Sequence, residues 1–279
     1  MLKLLLAATA QAATAGAHAA PLPCQPQTLL DPATIRERVI LVGELHGTNE
    51  MPAFVSGLAC SLLSQGRKVV LALEISSDAQ PELDDYLVSD GGETVRHPLL
   101  ASAFGKMKDG RGSEAMMAVI EQARVLRKAG APLILAAMDM RRSQFAVPPG
   151  EKWNPATRDR IMAENVAALA RSNPDAVVLS LTGNLHATKQ TKLSYPPMGY
   201  LLSQQMPAFS LGLAHSGGSA WVCMGVVDGK LQCGETKMSG VSGGIDVGGF
   251  DREVRLGGIT ASPPAREGKS ALGNQGGAQ

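Results

Sequence analysis

The sequence predicts an α/β protein, with a mostly parallel central sheet, helices on both of its faces, and a C-terminal antiparallel hairpin. Three observations carry this. Four short runs, Arg38 to Val42, Lys68 to Leu73, Pro132 to Met138 and Ala176 to Leu181, are aliphatic throughout rather than alternating with polar residues, as expected of strands covered on both faces. The stretches between them have helical periodicity. The resulting order is strand, helix, strand, helices, strand, helix, strand, which is the order of β-α-β units feeding a parallel sheet.

Each element has its own signals. Pro52 to Gln65 reads as a helix that Gly66 separates from the second strand. Met116, Val119, Ile120, Ala123 and Leu126 form one apolar stripe, with Glu114, Glu121, Arg124 and Lys128 elsewhere on the wheel, and Gly130 and Pro132 stop that helix. Asn154 before Pro155 reads as N-cap and first helical residue of a segment ending near Ser172. A helix from Met198 to Gln205, a strand from Ala208 to Leu213 and the hairpin Trp221 to Cys233 finish the sheet, the last strands being antiparallel. Residues 20–236 form one α/β domain. From 237 to 279, Gly, Ser and Pro dominate without periodicity, predicting a largely disordered tail in which Val254, Leu256 and Ile259 are able to dock locally.

Lys and Arg number 26 against 25 Asp and Glu, a net charge of +1. This balance points away from nucleic acid and anionic surfaces as partners. Residues 1–19 place Lys3 before an apolar run and end in Ala17-His18-Ala19, the layout of a secretory signal, so the expected location is the periplasm or the exterior. No later run reaches the ~18 apolar residues of a spanning helix. The four cysteines, Cys24, Cys60, Cys223 and Cys233, lack metal-site spacing and read as disulfides in an exported chain. A three-residue loop Val227 to Gly229, with Gly229 left-handed, sets Cys223 opposite Cys233, and Cys24 with Cys60 follows by elimination.

The chemistry lies where the strands stop. They run into Gly43-Glu44-Leu45-His46, Glu74-Ile75-Ser76, Asp139-Met140-Arg141-Arg142 and Gly183-Asn184-Leu185-His186. In an open parallel sheet the carboxyl ends of the strands form the ligand-binding edge. Any one of these residues is as readily a cap or turn former, but four strands delivering such residues to one edge is not a packing pattern. Gly-x-x-His occurs twice, each time after an apolar strand. A histidine near its free pKa can take a proton from water, and Glu44 or Glu74 can orient it. Asn184, Arg141 or Arg158 can donate to a developing oxyanion, and Asp139 and Tyr195 join them as candidate substrate-binding residues. His46, His186 and Glu44 equally meet the ligand requirement for Zn, Mn or Co. Tyr195 or Tyr200 can line the site or ligate a haem iron. His97 and His215 sit beside Pro or Gly and read as turn residues. Zincin, P-loop, dinucleotide and nucleophile-elbow motifs are absent.

Gly43-Glu44-Leu45-His46-Gly47-Thr48, the strand ending in Glu74, and Gly183-Asn184-Leu185-His186-Ala187 resemble the erythromycin esterase, ChaN, Tiki and TraB superfamily, and Arg158 to Val166 is similar to the helix before the second motif in the esterase-like branch. The resemblance runs from about Val39 to Trp221. It implies His46 as general base toward water, Glu44 and Glu74 assisting, His186 completing the site, and Arg158 as its electropositive member. It also implies a metal-dependent peptidase site in the Tiki branch and haem binding in the ChaN branch. The chain is too short for the larger helical additions of the antibiotic esterases, so macrolide hydrolysis is not implied. The expected function is an exported hydrolase of a small-molecule or peptide ester or amide, with haem binding as the alternative.

Overall fold

Strands that are aliphatic on both sides need cover on both faces, and the chain supplies it. The computed structural model describes residues 21–146, 150, 153–190, 194–240 and 249–266. Among them are the strands β1 (Val39–Glu44), β2 (Lys68–Ser76), β3 (Leu133–Asp139), β4 (Ala176–Gly183), β5 (Ala208–Ala214), β6 (Gly217–Val227), β7 (Lys230–Ser239) and β8 (Arg252–Arg255). Six of these form one sheet in the order β3-β2-β4-β1-β5-β8, every pair parallel. The helices are α1 (Glu50–Ser64), α2 (Gln80–Val88), α3 (Glu93–Ala101), α4 (Glu114–Lys128), α5 (Pro155–Ser172), α6 (Asn184–Ala187) and α7 (Met198–Ser203).

Successive strand residues point to opposite faces, and the two cores divide accordingly. Ile40, Val42, Leu71, Leu73 and Leu179 pack against α1, α2 and α4, through residues such as Leu58, Leu83 and Ile120. Leu41, Val70, Ala72 and Val178 pack on the other face against Met162 and Val166 of α5 and Met198 and Leu202 of α7. β4 sits between β1 and β2, although β1 and β2 are joined directly through α1. The connections leaving β1 and β4 therefore go to opposite faces and open a crevice at their carboxyl ends.

Three features depart from the sequence reading. First, β6 and β7 form a separate two-stranded sheet rather than finishing the main one, and the edge next to β5 is taken by β8. Second, the hairpin turn has two residues, Asp228 and Gly229, both with positive φ (50° and 72°), between the pair Val227 and Lys230. A register shift between Cys223 and Val226 restores the pairing of Cys223 with Cys233. A two-residue turn with positive φ at both positions matches strand twist, and the bulge absorbs the extra residue. Third, β8 forms a sheet strand beyond residue 236, where only local docking of Val254, Leu256 and Ile259 is expected; Val254 and Ile259 are buried as that docking requires, and Ala265 is buried with them. Residues 1–19, the expected signal, lie outside the described residues.

Disulfides join Cys24 to Cys60 and Cys223 to Cys233. The first ties the segment before β1 to the buried side of α1, and the second crosses the β6–β7 hairpin.

Candidate active site

Glu44 is the last residue of β1 and pairs with Gly183, the last of β4. This register puts the two Gly-x-x-His motifs side by side, and each glycine leaves room for the other motif. A Cβ on Gly183 would lie 2.9 Å from His46 Nε2 and 3.6 Å from His186 Cδ2, and one on Gly43 would lie 2.9 Å from Asn184 Oδ1. Close approach, rather than a sharp strand exit, is the reason for glycine here.

Glu74 from β2 is the hub. Its Oε2 accepts hydrogen bonds from Thr182 Oγ1 (2.6 Å) and Gly183 N (2.7 Å) and lies 3.5 Å from His46 Nε2. Its Oε1 accepts from Arg158 Nη2 (2.5 Å) and Arg111 Nη1 (3.2 Å) and lies 3.9 Å from His186 Nε2. Both imidazoles thus flank one buried carboxylate. His46 is further held by Glu44, with Nδ1 2.9 Å from Oε1.

Burial raises the Glu74 pKa, but His46, His186 and Arg158 outweigh it and hold the carboxyl well below its usual range. Burial likewise works against charge on His46, and Glu74, with help from Glu44, overrides it and pushes the imidazole up to about 10. Burial raises Glu44, whose Oε2 is buried without a partner.

The second histidine is built differently. His186 Nδ1 lies 2.8 Å from Oδ1 of the fully buried Asp159, which also accepts from Met198 N (2.7 Å) at the start of α7. Its Nε2 lies 3.1 Å from Arg158 Nη1. A guanidinium only donates, so Nε2 accepts and the ring proton sits on Nδ1 facing Asp159.

Arg158 also grips Asp139 in a fork, Nε to Oδ1 (2.9 Å) and Nη2 to Oδ2 (2.7 Å). It therefore positions the carboxylates and His186 with four of its five N–H donors, and one N–H on Nη1 remains. Asn184 lines the cavity, with Oδ1 buried and unpartnered. Arg141 is exposed beyond β3 and lines a different cavity, so it is not part of this cluster. Tyr195 is half-buried, and neither it nor Tyr200 is among the residues that line the cavity. His97 is exposed on α3, and His215 is buried with its Nδ1 accepting from Gly217 N at 3.2 Å.

Sequence reasoning missed Asp109 and Arg111, in the loop between α3 and α4, and Asp159. Arg111 grips Asp109 through Nε (3.0 Å to Oδ1) and Nη2 (2.5 Å to Oδ2) while reaching Glu74 and Asp139. The Arg158-Asp159 pair near the start of α5 carried the signal for Asp159. Gly110 and Gly112 around Arg111 mark only a loop.

A divalent metal does not fit these residues as arranged. Two guanidiniums stand among Glu74, Asp139 and His186, where an ion would need free lone pairs. Among the described residues, no group of three or more His, Cys, Asp or Glu is disposed to hold one. The set His46, His186 and Glu44 thus lacks the openness of a metal site.

The cluster forms the floor of a cavity of about 520 Å³ whose other walls include Leu185 and the hairpin residues Val222, Cys223 and Leu231. Among solved structures, erythromycin esterase EreC, captured as a variant in its open conformation, matches with a TM-score of 0.61 and 14% identity over 76% of this chain and 79% of that one. The chain has the erythromycin esterase fold. A Bacillus cereus protein matches with a TM-score of 0.52 and 13% identity over 88% of this chain and 96% of its own. A succinoglycan biosynthesis protein matches at 0.50 and 11% over 81% and 89%. No family model matches the sequence, and no curated protein does. The likeness to erythromycin esterase is thus one of fold.

Proposed function

We propose that the chain is an exported hydrolase in which His46 activates water against an ester or amide, without a metal. The observation that carries this reading is the clamp on His46. Its Nδ1 is bonded to Glu44, its Nε2 lies beside Gly183 and 3.5 Å from Glu74 Oε2, and the side chain, 22% exposed, lines the cavity. In the neutral ring, Glu44 keeps the proton on Nδ1 and leaves the Nε2 lone pair for water. Water oxygen attacks the carbonyl carbon, its proton passes to Nε2, and the same proton then protonates the leaving alkoxide or amine. Glu74 stabilises the imidazolium formed midway, while Arg158 and Arg111 keep Glu74 ionised.

Two disulfides support export, because such bonds persist in oxidising compartments. No helix among the described residues is long and apolar enough to cross a membrane. The test is turnover of a broad ester and peptide panel by purified protein. His46→Ala should lower kcat/KM at least about a hundredfold, the usual contribution of a general base. Undiminished activity in that variant removes the mechanism.

A further inference from the structure

The β6–β7 hairpin is anchored at its base and open toward its tip. Trp221 N donates to Gly47 O (2.8 Å), Trp221 Nε1 to Lys108 O (3.1 Å) and Ser219 N to Ile259 O (2.9 Å). These contacts hold its root against the first histidine motif and the loop that carries Arg111. Beyond the root, the Cys223–Cys233 disulfide crosses the two strands.

The register sorts the side chains. Residues paired directly across an antiparallel ladder share a face, and alternate residues along a strand share it too. Cys223 pairs with Cys233 and Val226 with Leu231, and Leu231 and Cys233 are two apart, so these four lie on one face. Cys223 and Leu231 of that face line the cavity with His46, Glu74 and Arg111, and Val222, at the root of the other face, joins them. Val227, paired with Lys230, lies on the opposite face. Leu231 is 50% exposed, Val226 64% and Val227 57%. Leu185, 51% exposed, lines the same cavity. The cavity therefore has a charged floor and an apolar wall continuous with it.

The geometry points to a subsite for a straight alkyl or acyl group, formed by Leu231, Val226 and the disulfide on the inner face of the hairpin together with Leu185. It holds the apolar part of a substrate whose polar group lies on the His46 floor. The proposal rests on the hydrolase reading for the identity of that polar group. The occupant is the substrate because the apolar face opens into the same cavity as the base, and an isolated apolar tip would have no such continuity. One wall is a covalently braced hairpin, which fixes the distance from floor to subsite and so favours one range of chain length.

The test is equilibrium binding of N-alkyl dansylamides with two, four, six and eight carbons, read from the blue shift of dansyl emission on the oxidised full chain. Affinity should tighten about fourfold per methylene over the length of the wall, the factor expected for burying one CH₂. Leu231→Ser and Val226→Ser should flatten that dependence. Val227→Ser, equally exposed on the other face, should leave it as in the parent. Absence of binding, affinity indifferent to chain length, or an equal effect of Val227→Ser overturns the subsite. Because the readout is binding, failure to hydrolyse any ester bears on the hydrolase reading alone, and turnover with chain-length-independent affinity removes the subsite alone.

Discussion

Glu74 governs His46 from 3.5 Å away, and this has a kinetic consequence. A general base works only when deprotonated, and a neighbouring carboxylate holds the proton on. With His46 at about 10 in the empty site, kcat/KM should rise with pH across the neutral range, its limb lying well above the 6.5 of an ordinary imidazole. Glu74→Gln removes the charge, so the limb should move to lower pH, and a limb left in place would contradict the coupling. The same linkage bears on stability, and its two halves run in opposite directions. Raised His46 stabilises the folded chain fully below 6.5, an effect lost as pH rises through about 10, whereas lowered Glu74 stabilises above the usual carboxylate range near 4.5, an effect lost on acidification. The grouping of Glu44, His46, Glu74 and His186 was legible because each stands at or just past the end of an aliphatic run. Asp109 and Arg111 were not, because a loop residue shows its partners only after the chain has folded.

At the scale of elements, the two motifs are adjacent because β1 and β4 are hydrogen-bonded neighbours, and the glycines let them interlock. Gly183→Ala would put a methyl 2.9 Å from His46 Nε2, against a side chain rather than backbone. The variant should fold with stability within about 2 kcal/mol of the parent, the range of ordinary substitutions. Its kcat/KM should still fall tenfold or more, since small displacements of a catalytic group are costly. Thermal melting and kinetics on one preparation separate the two effects, and full activity would mean that His46 does not occupy this position during turnover. Strand and helix positions were readable from aliphatic runs, Gly130, Pro132 and the Asn154-Pro155 start. The hairpin turn was misjudged because three- and two-residue loops place Cys223 opposite Cys233 equally well once a bulge is allowed, and sequence does not announce the bulge.

The whole molecule closes on itself through its last described segment. β8 extends the sheet beyond β5, and isolated bridges pair Ala261 with Thr48 and Pro264 with Ser113. That segment thus braces both the first histidine motif and the start of α4. A chain ending at residue 240 would expose what Val254 and Ile259 cover, at about 1.5–3 kcal/mol for each such side chain. Its urea midpoint should fall accordingly, and an unchanged midpoint would show that β8 adds nothing to the fold. Val254 and Ile259 were legible as docking residues, but Gly, Ser and Pro composition concealed the strand because four residues leave no periodicity to read. The parallel sheet itself was legible, since its order follows from where helices interrupt the aliphatic runs. The winding of this sheet places His46 between Glu44 and Glu74, and an imidazole NMR titration reads that placement out. The chain has five histidines, so a spectrum of His46→Gln assigns the resonance. The resonance should remain that of imidazolium through pH 7 and titrate near 10. A midpoint near 6.5 would place His46 outside the grip of Glu44 and Glu74.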